Sequence, residues 1–298
     1  MNKKHVLVTG AGGYIGRHVV STLLDFGMQV TAVDIRIEGI DERAKAMQYD
    51  IFNGSAQIYE DLGKPDVCLH LAWKDGFVHN SSSHLEYLYA HYLFAKNMTA
   101  GGLKQFAALG SMHEVGYHEG AIDENTSCNP RSLYGIAKNS LRQALLLLSE
   151  QGDFCFQWLR GYYILGDDLK NNSIFSKILA AEEKGQETFP LNSGLNKYDF
   201  ISVDNLAREI ALSVIQDKIT GVINCCTGNP VSLKEKVEEF IDVNHLNIKP
   251  KYGVFPERSY DSPIIYGNTE KIVEIIRLAE GNEQVRKAAD ILKEIVAQ

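Results

Sequence analysis

The five cysteines (Cys68, Cys128, Cys155, Cys225 and Cys226) are odd in number and include no C-x-x-C pair. No disulfide framework is indicated; all but Cys128 fall inside apparent strands and read as small apolar residues in a reducing compartment. The nine histidines contain no H-x-x-x-H spacing, and Cys225 and Cys226, adjacent in a strand, would point to opposite faces, so no metal site is expected. Lys and Arg form no cluster, and the formal net charge is −8. A surface that neutralises phosphates needs clustered cations, so nucleic acid is not an expected partner. The longest apolar run, residues 144–148, is far short of the roughly 20 residues that span a bilayer. Only residues 1–5 precede the first strand, too few for a secretory signal, which makes a cytoplasmic location the expectation. Internal repeats and low-complexity tracts are also lacking.

What is present is ordinary for a folded domain: 298 residues, 45% hydrophobic and 23% charged, enough for one large core or two modest ones. Within it, Val6-Leu7-Val8-Thr9-Gly10-Ala11-Gly12-Gly13-Tyr14-Ile15-Gly16 runs from an apolar strand through a glycine turn into a helix. Gly10, Gly13 and Gly16 are spaced for a tight turn, for backbone approach to a pyrophosphate and for close helix–strand contact. The helix start, with its positive dipole end, would hold that pyrophosphate. Ile15, Val19, Leu23 and Leu24 then repeat at helical spacing, and residues 29–33 read as a second strand ending at Asp34. Asp34 lies 18 positions past Gly16, where a carboxylate would hydrogen-bond an adenosine ribose. Together these features predict a bound dinucleotide.

Further strands are expected over 47–51, with Asp50 at its end, and over 67–72, 106–109, 154–159 and 222–226. Helices are expected over 58–62, 85–97, 133–149, 174–181, 203–215 and 283–297. Strands alternating with helices predict an α/β fold with a doubly wound parallel sheet. In such sheets ligands bind outside the carboxyl ends of the strands, and Gly10, Asp34, Asp50, Ala72 and Ser111 all fall there. Past Gly166 the texture changes, and five of the seven prolines lie at or beyond Pro190, suggesting a smaller lobe over the cleft.

Tyr134-Gly135-Ile136-Ala137-Lys138 places a phenol and an amine at i and i+4, on one face of a helix. A phenol titrating near pH 10 is a poor acid–base group at neutral pH unless its anion is stabilised, which a neighbouring ammonium would do. Ser111 adds a hydroxyl at the same sheet edge.

These pieces resemble the extended short-chain dehydrogenase/reductase family, in its NAD-dependent epimerase/dehydratase type and its nucleotide-sugar 4-ketoreductase branch. The likeness is carried by residues 9–16, His70-Leu71-Ala72, Ser111, Asn129-Pro130, residues 134–138, Leu159-Arg160, residues 198–204 and Asn224-Cys225-Cys226-Thr227-Gly228, and so covers nearly the whole chain. It implies a Rossmann dinucleotide domain over 1–165, with 200–227 returning to it, and an interleaved substrate lobe over 166–199 and 228–298. It implies Tyr134 as catalytic acid/base, Lys138 lowering its pKa and holding the nicotinamide ribose, and Ser111 on the sugar oxygen. The cofactor would be contacted by Gly10, Gly13, Tyr14, Ile15, Gly16, Asp34, Ile35, Arg36, Asp50, Ile51, Leu71, Ala72 and Trp73. Substrate would meet Ser111, Met112, Glu114, Tyr134 and Arg258, the last by its diphosphate. Met112 stands where the 4,6-dehydratases resemble Asp, which removes half of the elimination apparatus. The asparagine after the sixth strand is absent, since Gly161-Tyr162-Tyr163 follows Arg160.

The function implied is reduction of a nucleotide-linked 4-keto-6-deoxy sugar by NAD(P)H, with Tyr134 as proton donor. A 4-epimerase that retains its NAD is the close alternative, a 4,6-dehydratase a weaker one, and a dinucleotide sensor without turnover a distant one. Asp34 favours NAD, and Arg36 leaves NADP open. The resemblance also implies a homodimer formed through the helices over 85–97 and 133–149.

Overall fold

The computed structural model describes residues 4–166, 173–257 and 261–297. Seven strands form its main sheet: β1 His5–Thr9, β2 Gln29–Asp34, β3 Lys45–Gln48, β4 Val67–His70, β5 Gln105–Ser111, β6 Cys155–Gly161 and β7 Gly221–Cys225. Their order is β3-β2-β1-β4-β5-β6-β7, and every neighbouring pair is parallel. The chain steps outward from β1 through β2 to β3, then restarts on the other side with β4. The crevice that takes ligands in such a sheet lies at that reversal, between β1 and β4. This is the doubly wound Rossmann arrangement read from the sequence.

The sheet is covered on both faces, which is why its strands are continuously apolar. Alternation along β1 sends Val6 and Val8 to one core and Leu7 to the other. The first core is shared with Val19 and Leu23 of helix Tyr14–Asp25 and with Leu206 and Ile210 of helix Val203–Ile215. The second takes Phe94 and Met98 of helix Leu88–Ala100 and Leu141 and Leu145 of helix Leu133–Gln151. A smaller sheet of five strands runs Pro230–Ser232, Lys197–Ser202, Ile264–Gly267 and Gly120–Ile122, with Tyr163–Leu165 also pairing Lys197–Ser202; it has its own apolar cluster around Tyr162, Phe175, Phe200 and Ile265.

Some boundaries differ from those expected. β3 ends at Gln48, because Asp50 Oδ1 accepts the Phe52 N–H at 2.9 Å and turns the chain out of the ladder. The helix expected over 85–97 forms as two pieces, Ser83–Glu86 and Leu88–Ala100. Helices Glu270–Ala279 and Glu283–Val296, grouped by the sequence with the smaller lobe, bury Ile272, Ile276, Val285 and Leu292 in the first core of the main sheet. Each carries a narrow apolar stripe, and the open face beside helix Val203–Ile215 is the surface that stripe covers. Among the described residues no helix is long and apolar enough to cross a membrane.

Candidate active site

The glycine turn lies where β1 ends. Gly10 takes φ +69°, and a Cβ there would stand 2.6 Å from the Ala72 backbone nitrogen. At Gly16 a Cβ would stand 2.1 Å from the Gly10 carbonyl oxygen, and at Gly12 2.3 Å from that of Arg36. The turn is thus packed against its neighbours at a distance only glycine permits. Gly13 caps helix Tyr14–Asp25 without a side-chain hydrogen bond, and the first turn holds no acidic residue. The helix therefore presents a positive dipole end suited to an anion.

Asp34 ends β2 beside this turn. One carboxylate oxygen accepts the Gly12 N–H at 3.0 Å and the other the Arg36 N–H at 3.1 Å. Ile35 and Arg36 are exposed at the same edge. Further along, Ile51 forms a wall of a cavity of about 160 Å³ together with Phe52, Ser55, Tyr89 and Asn97. Asp50 is exposed at its approach.

Across the crevice, helix Leu133–Gln151 brings Tyr134 and Lys138 to the end of β5. Its start is held by three acceptors: the His79 carbonyl takes the Tyr134 N–H at 2.9 Å, Asn80 Oδ1 that of Leu133, and Ser132 Oγ that of Gly135. Ser111, the last residue of β5, is buried, and its hydroxyl accepts the His113 N–H at 3.3 Å beside the Tyr134 phenol. Burial pushes that phenol up to about 12, against the lowering effect of Ser111. Lys138 is only 4% exposed. Burial brings its amine down to about 7, opposed by Glu114. Its Nζ donates to the Leu109 carbonyl at 2.6 Å and lies 3.7 Å from the centre of the Trp73 ring, but 5.8 Å from that of Tyr134. Glu114 adds to the upward push that burial gives the phenol.

Glu114, expected to face substrate, is instead 0% exposed beneath the site. Its carboxylate accepts Trp158 Nε1 at 2.8 Å and Arg160 Nε at 2.7 Å, and closes a capping box on Ser111. A carboxylate held by those donors belongs to the floor that fixes the Ser111 turn. Met112 is buried in the smaller lobe's apolar cluster with Val115, Tyr162 and Phe175, because the turn directs its side chain away from Ser111. Arg258 lies outside the described residues. Leu71, Ala72 and Trp73 follow β4 and line the crevice opposite Gly10.

Other residues at the site are not among those the sequence singled out. The His79 ring stacks on Tyr134 at 5.4 Å and 11°, and the His113 ring is 4.5 Å from that of His79. The His84 and His91 rings stack against Trp73, and His70 of β4 reaches His91 behind it. The signal available was the histidine in the otherwise apolar β4, although its partners come from a helix that sequence distance does not reveal.

Residues 6–226 match the family model described as the NAD dependent epimerase/dehydratase family. The chain belongs to that family of NAD-dependent enzymes. It is 48% identical over 268 residues to dTDP-6-deoxy-L-talose 4-dehydrogenase (NAD(+)) of Aggregatibacter actinomycetemcomitans, covering 88% of this chain and 99% of that protein. It is 27% identical over 316 residues to a probable UDP-arabinose 4-epimerase of Oryza sativa subsp. japonica, covering 90% of this chain and 73% of that protein. Among solved structures, a UDP-N-acetylglucosamine 4-epimerase from Methanobrevibacter ruminantium M1 superposes with a TM-score of 0.80 at 23% identity, covering 97% of this chain and 98% of that one. MoeE5 in complex with UDP-glucuronic acid and NAD gives 0.77 at 24% identity over 91% of this chain and 92% of that one. These two likenesses concern the fold.

Proposed function

We propose that the protein interconverts the C4 hydroxyl and C4 ketone of a dTDP-linked 6-deoxyhexose, acting as a 4-ketoreductase in the reducing direction with NAD as cofactor. The observation that carries this reading is the convergence of Ser111, Tyr134 and Lys138 on one edge of the crevice beside the glycine turn. The 48% identity to a 4-dehydrogenase of a dTDP-6-deoxy sugar supports the substrate class.

The residues fit the cofactor. The turn of Gly10, Gly13 and Gly16, folded so tightly that a Cβ would strike backbone, would bring its N–H groups to a pyrophosphate at the start of helix Tyr14–Asp25. Asp34 would bind the adenosine ribose, and its charge opposes a 2′-phosphate, which favours NAD over NADP. Ile51 and the cavity behind it would receive adenine, and Leu71, Ala72 and Trp73 would flank the nicotinamide half. When bound, the reduced cofactor supplies a hydride to C4, and the oxidised form accepts one in reverse.

The chain's own part is proton transfer and charge stabilisation. Ser111 and Tyr134 donate hydrogen bonds to the C4 oxygen. As negative charge develops there, the Tyr134 phenol passes its proton to that oxygen, and Lys138 provides the positive charge that supports the phenolate left behind. A phenol held at about 12 is protonated at neutral pH, the state a donor requires. Exposed Tyr89, Ile136, Leu146 and Leu147 on helices Leu88–Ala100 and Leu133–Gln151 support a homodimer through that face.

The test is purified protein with dTDP-4-keto-6-deoxyhexose and NADH or NADPH, read by loss of the reduced-cofactor absorbance. Oxidation of NADH in preference to NADPH, with formation of the C4 alcohol, is expected. Interconversion of C4 alcohols without added cofactor, and no absorbance change in either direction, would establish the epimerase instead.

A further inference from the structure

Trp73 sits between Lys138 and a pair of buried histidines. One face of its indole receives the Lys138 ammonium, with Nζ 3.7 Å from the ring centre. The ring also stacks on His91 at 4.4 Å and 17°. Its Nε1 donates to His84 Nδ1 at 3.1 Å, and His84 Nε2 faces the Val78 carbonyl at 3.0 Å. His91 Nδ1 lies 2.8 Å from His70 Nε2, and His70 Nδ1 lies 2.8 Å from Thr9 Oγ1.

Trp73 can only donate, so His84 carries its proton on Nε2 and gives it to Val78. Thr9 Oγ1 also accepts the Ala72 N–H at 3.4 Å, so Thr9, His70 and His91 form one connected hydrogen-bond chain. Burial, reinforced by Lys138, holds His70 down to about 3 and His91 well below the usual histidine range. Both rings are neutral at working pH, so no cation behind the indole opposes the ammonium in front of it. The chain of contacts runs from Thr9, the residue before Gly10, to the amine beside Tyr134.

We infer that Trp73 is a positioning residue for Lys138: its indole face fixes where the ammonium stands, and the His70–His91 pair fixes the indole. The inference rests on the reading of Tyr134 and Lys138 given above and adds the device that holds the amine. A buried lysine without such a face loses its proton readily; the ring quadrupole favours the cation. Facing Lys138 are Tyr134 on its own helix, Glu114 from the turn after β5, the Leu109 carbonyl of β5, His70 of β4 and His91 of the neighbouring helix.

The test uses full-length, ligand-free protein carrying ¹³C-labelled lysine, with the Lys138 signal assigned by its loss in Lys138→Arg. In the wild type the ε-methylene resonance of Lys138 is expected upfield of the other lysines, from the ring current of Trp73. Trp73→Met should abolish that displacement and lower the titration midpoint of Lys138 by roughly 0.5 to 1 pH unit, the size of one cation–π contact. Trp73→Phe should keep most of both. His91→Leu, which removes the stack and the His70 bond while leaving the indole, should diminish the displacement. An unchanged resonance and midpoint in Trp73→Met would overturn the inference, and an unchanged resonance in His91→Leu would overturn the histidine part. Absence of turnover with any nucleotide sugar would defeat the functional reading without moving these signals.

Discussion

Glu114 and Arg160 form an ion pair at 2.7 Å in which neither side chain is exposed. Arg160 reaches it from β6, and its Nη1 donates to the Asp123 carbonyl at 2.9 Å, so the pair ties the Ser111 turn to the main sheet and to the start of the smaller lobe. Removing one member of a buried pair strands the other charge, a loss of about 3–5 kcal/mol. Glu114→Ala is expected to destabilise the protein by that amount in denaturant titration. Glu114→Gln, which retains an acceptor for Trp158, should cost less. The double variant Glu114→Met with Arg160→Met should be more stable than either single one, because no charge is left unpaired. A double variant as unstable as the sum of the singles would show that the hydrogen bonds, not the charges, dominate.

Under the proposed function, Lys138 would give the reaction its pH dependence. The free protein holds the amine at about 7 and the phenol at about 12. Below pH 7 the ammonium is present; as pH rises through about 7 it is lost, while Tyr134 stays protonated. In the proposed reduction that cation would stand beside a developing negative charge, so kcat/KM should fall with unit slope above about pH 7. Lys138→Met should be low and flat over the same range. Tyr134→Phe should lower kcat by about 10²–10⁴, and Ser111→Ala by about 10²–10³, with NAD affinity within a few-fold of wild type. A kcat/KM that rises above pH 7 would contradict the role given to the ammonium.

The glycine turn was legible because its chemistry is local. A missing Cβ, a following apolar period and a carboxylate at the end of the next strand are all visible within residues 6–34. The parallel sheet was legible for the same reason: strands buried on both faces show as apolar runs. Glu114 was not, because an acid in a turn looks the same whether it meets water or a buried guanidinium. Its partners stand at Trp158 and Arg160, two residues apart on one face of β6, and that polar spacing in a central strand was the available clue. The Trp73–His91 stack pairs residues from different elements, and no local pattern announces it.

Gly16 tests the turn itself. A methyl group there would stand 2.1 Å from the Gly10 carbonyl oxygen and 2.9 Å from Ala11 Cα, both backbone atoms. The turn must open to admit it. Overpacking of this kind costs about 1–3 kcal/mol, which, borne by the cofactor-binding shape, is about a 5- to 150-fold rise in Kd. Gly16→Ala is expected to weaken NAD binding by calorimetry to that extent while the unliganded protein keeps its far-ultraviolet circular dichroism. Unaltered affinity would mean that the turn does not contact the pyrophosphate.

Glu209 offers a separate handle on stability. It lies on helix Val203–Ile215, 0% exposed, and its carboxyl has no well-formed hydrogen bond; the Cys226 backbone amide gives a partial offset. Burial, reinforced by Asp199, holds it protonated well above the usual carboxyl range. The unfolded chain releases this proton near pH 4.5 while the folded chain retains it. The raised group therefore contributes its full stability below about pH 4.5, and that contribution is lost as pH rises toward the folded value. Glu209→Gln carries a neutral group of the same shape in both states and has no such slope. The variant is expected to match the wild type near pH 4.5 and to exceed it in melting temperature at neutral pH, with the gap widening between them. Parallel melting curves for the two proteins across that range would show that Glu209 ionises in the fold and finds a partner for its charge.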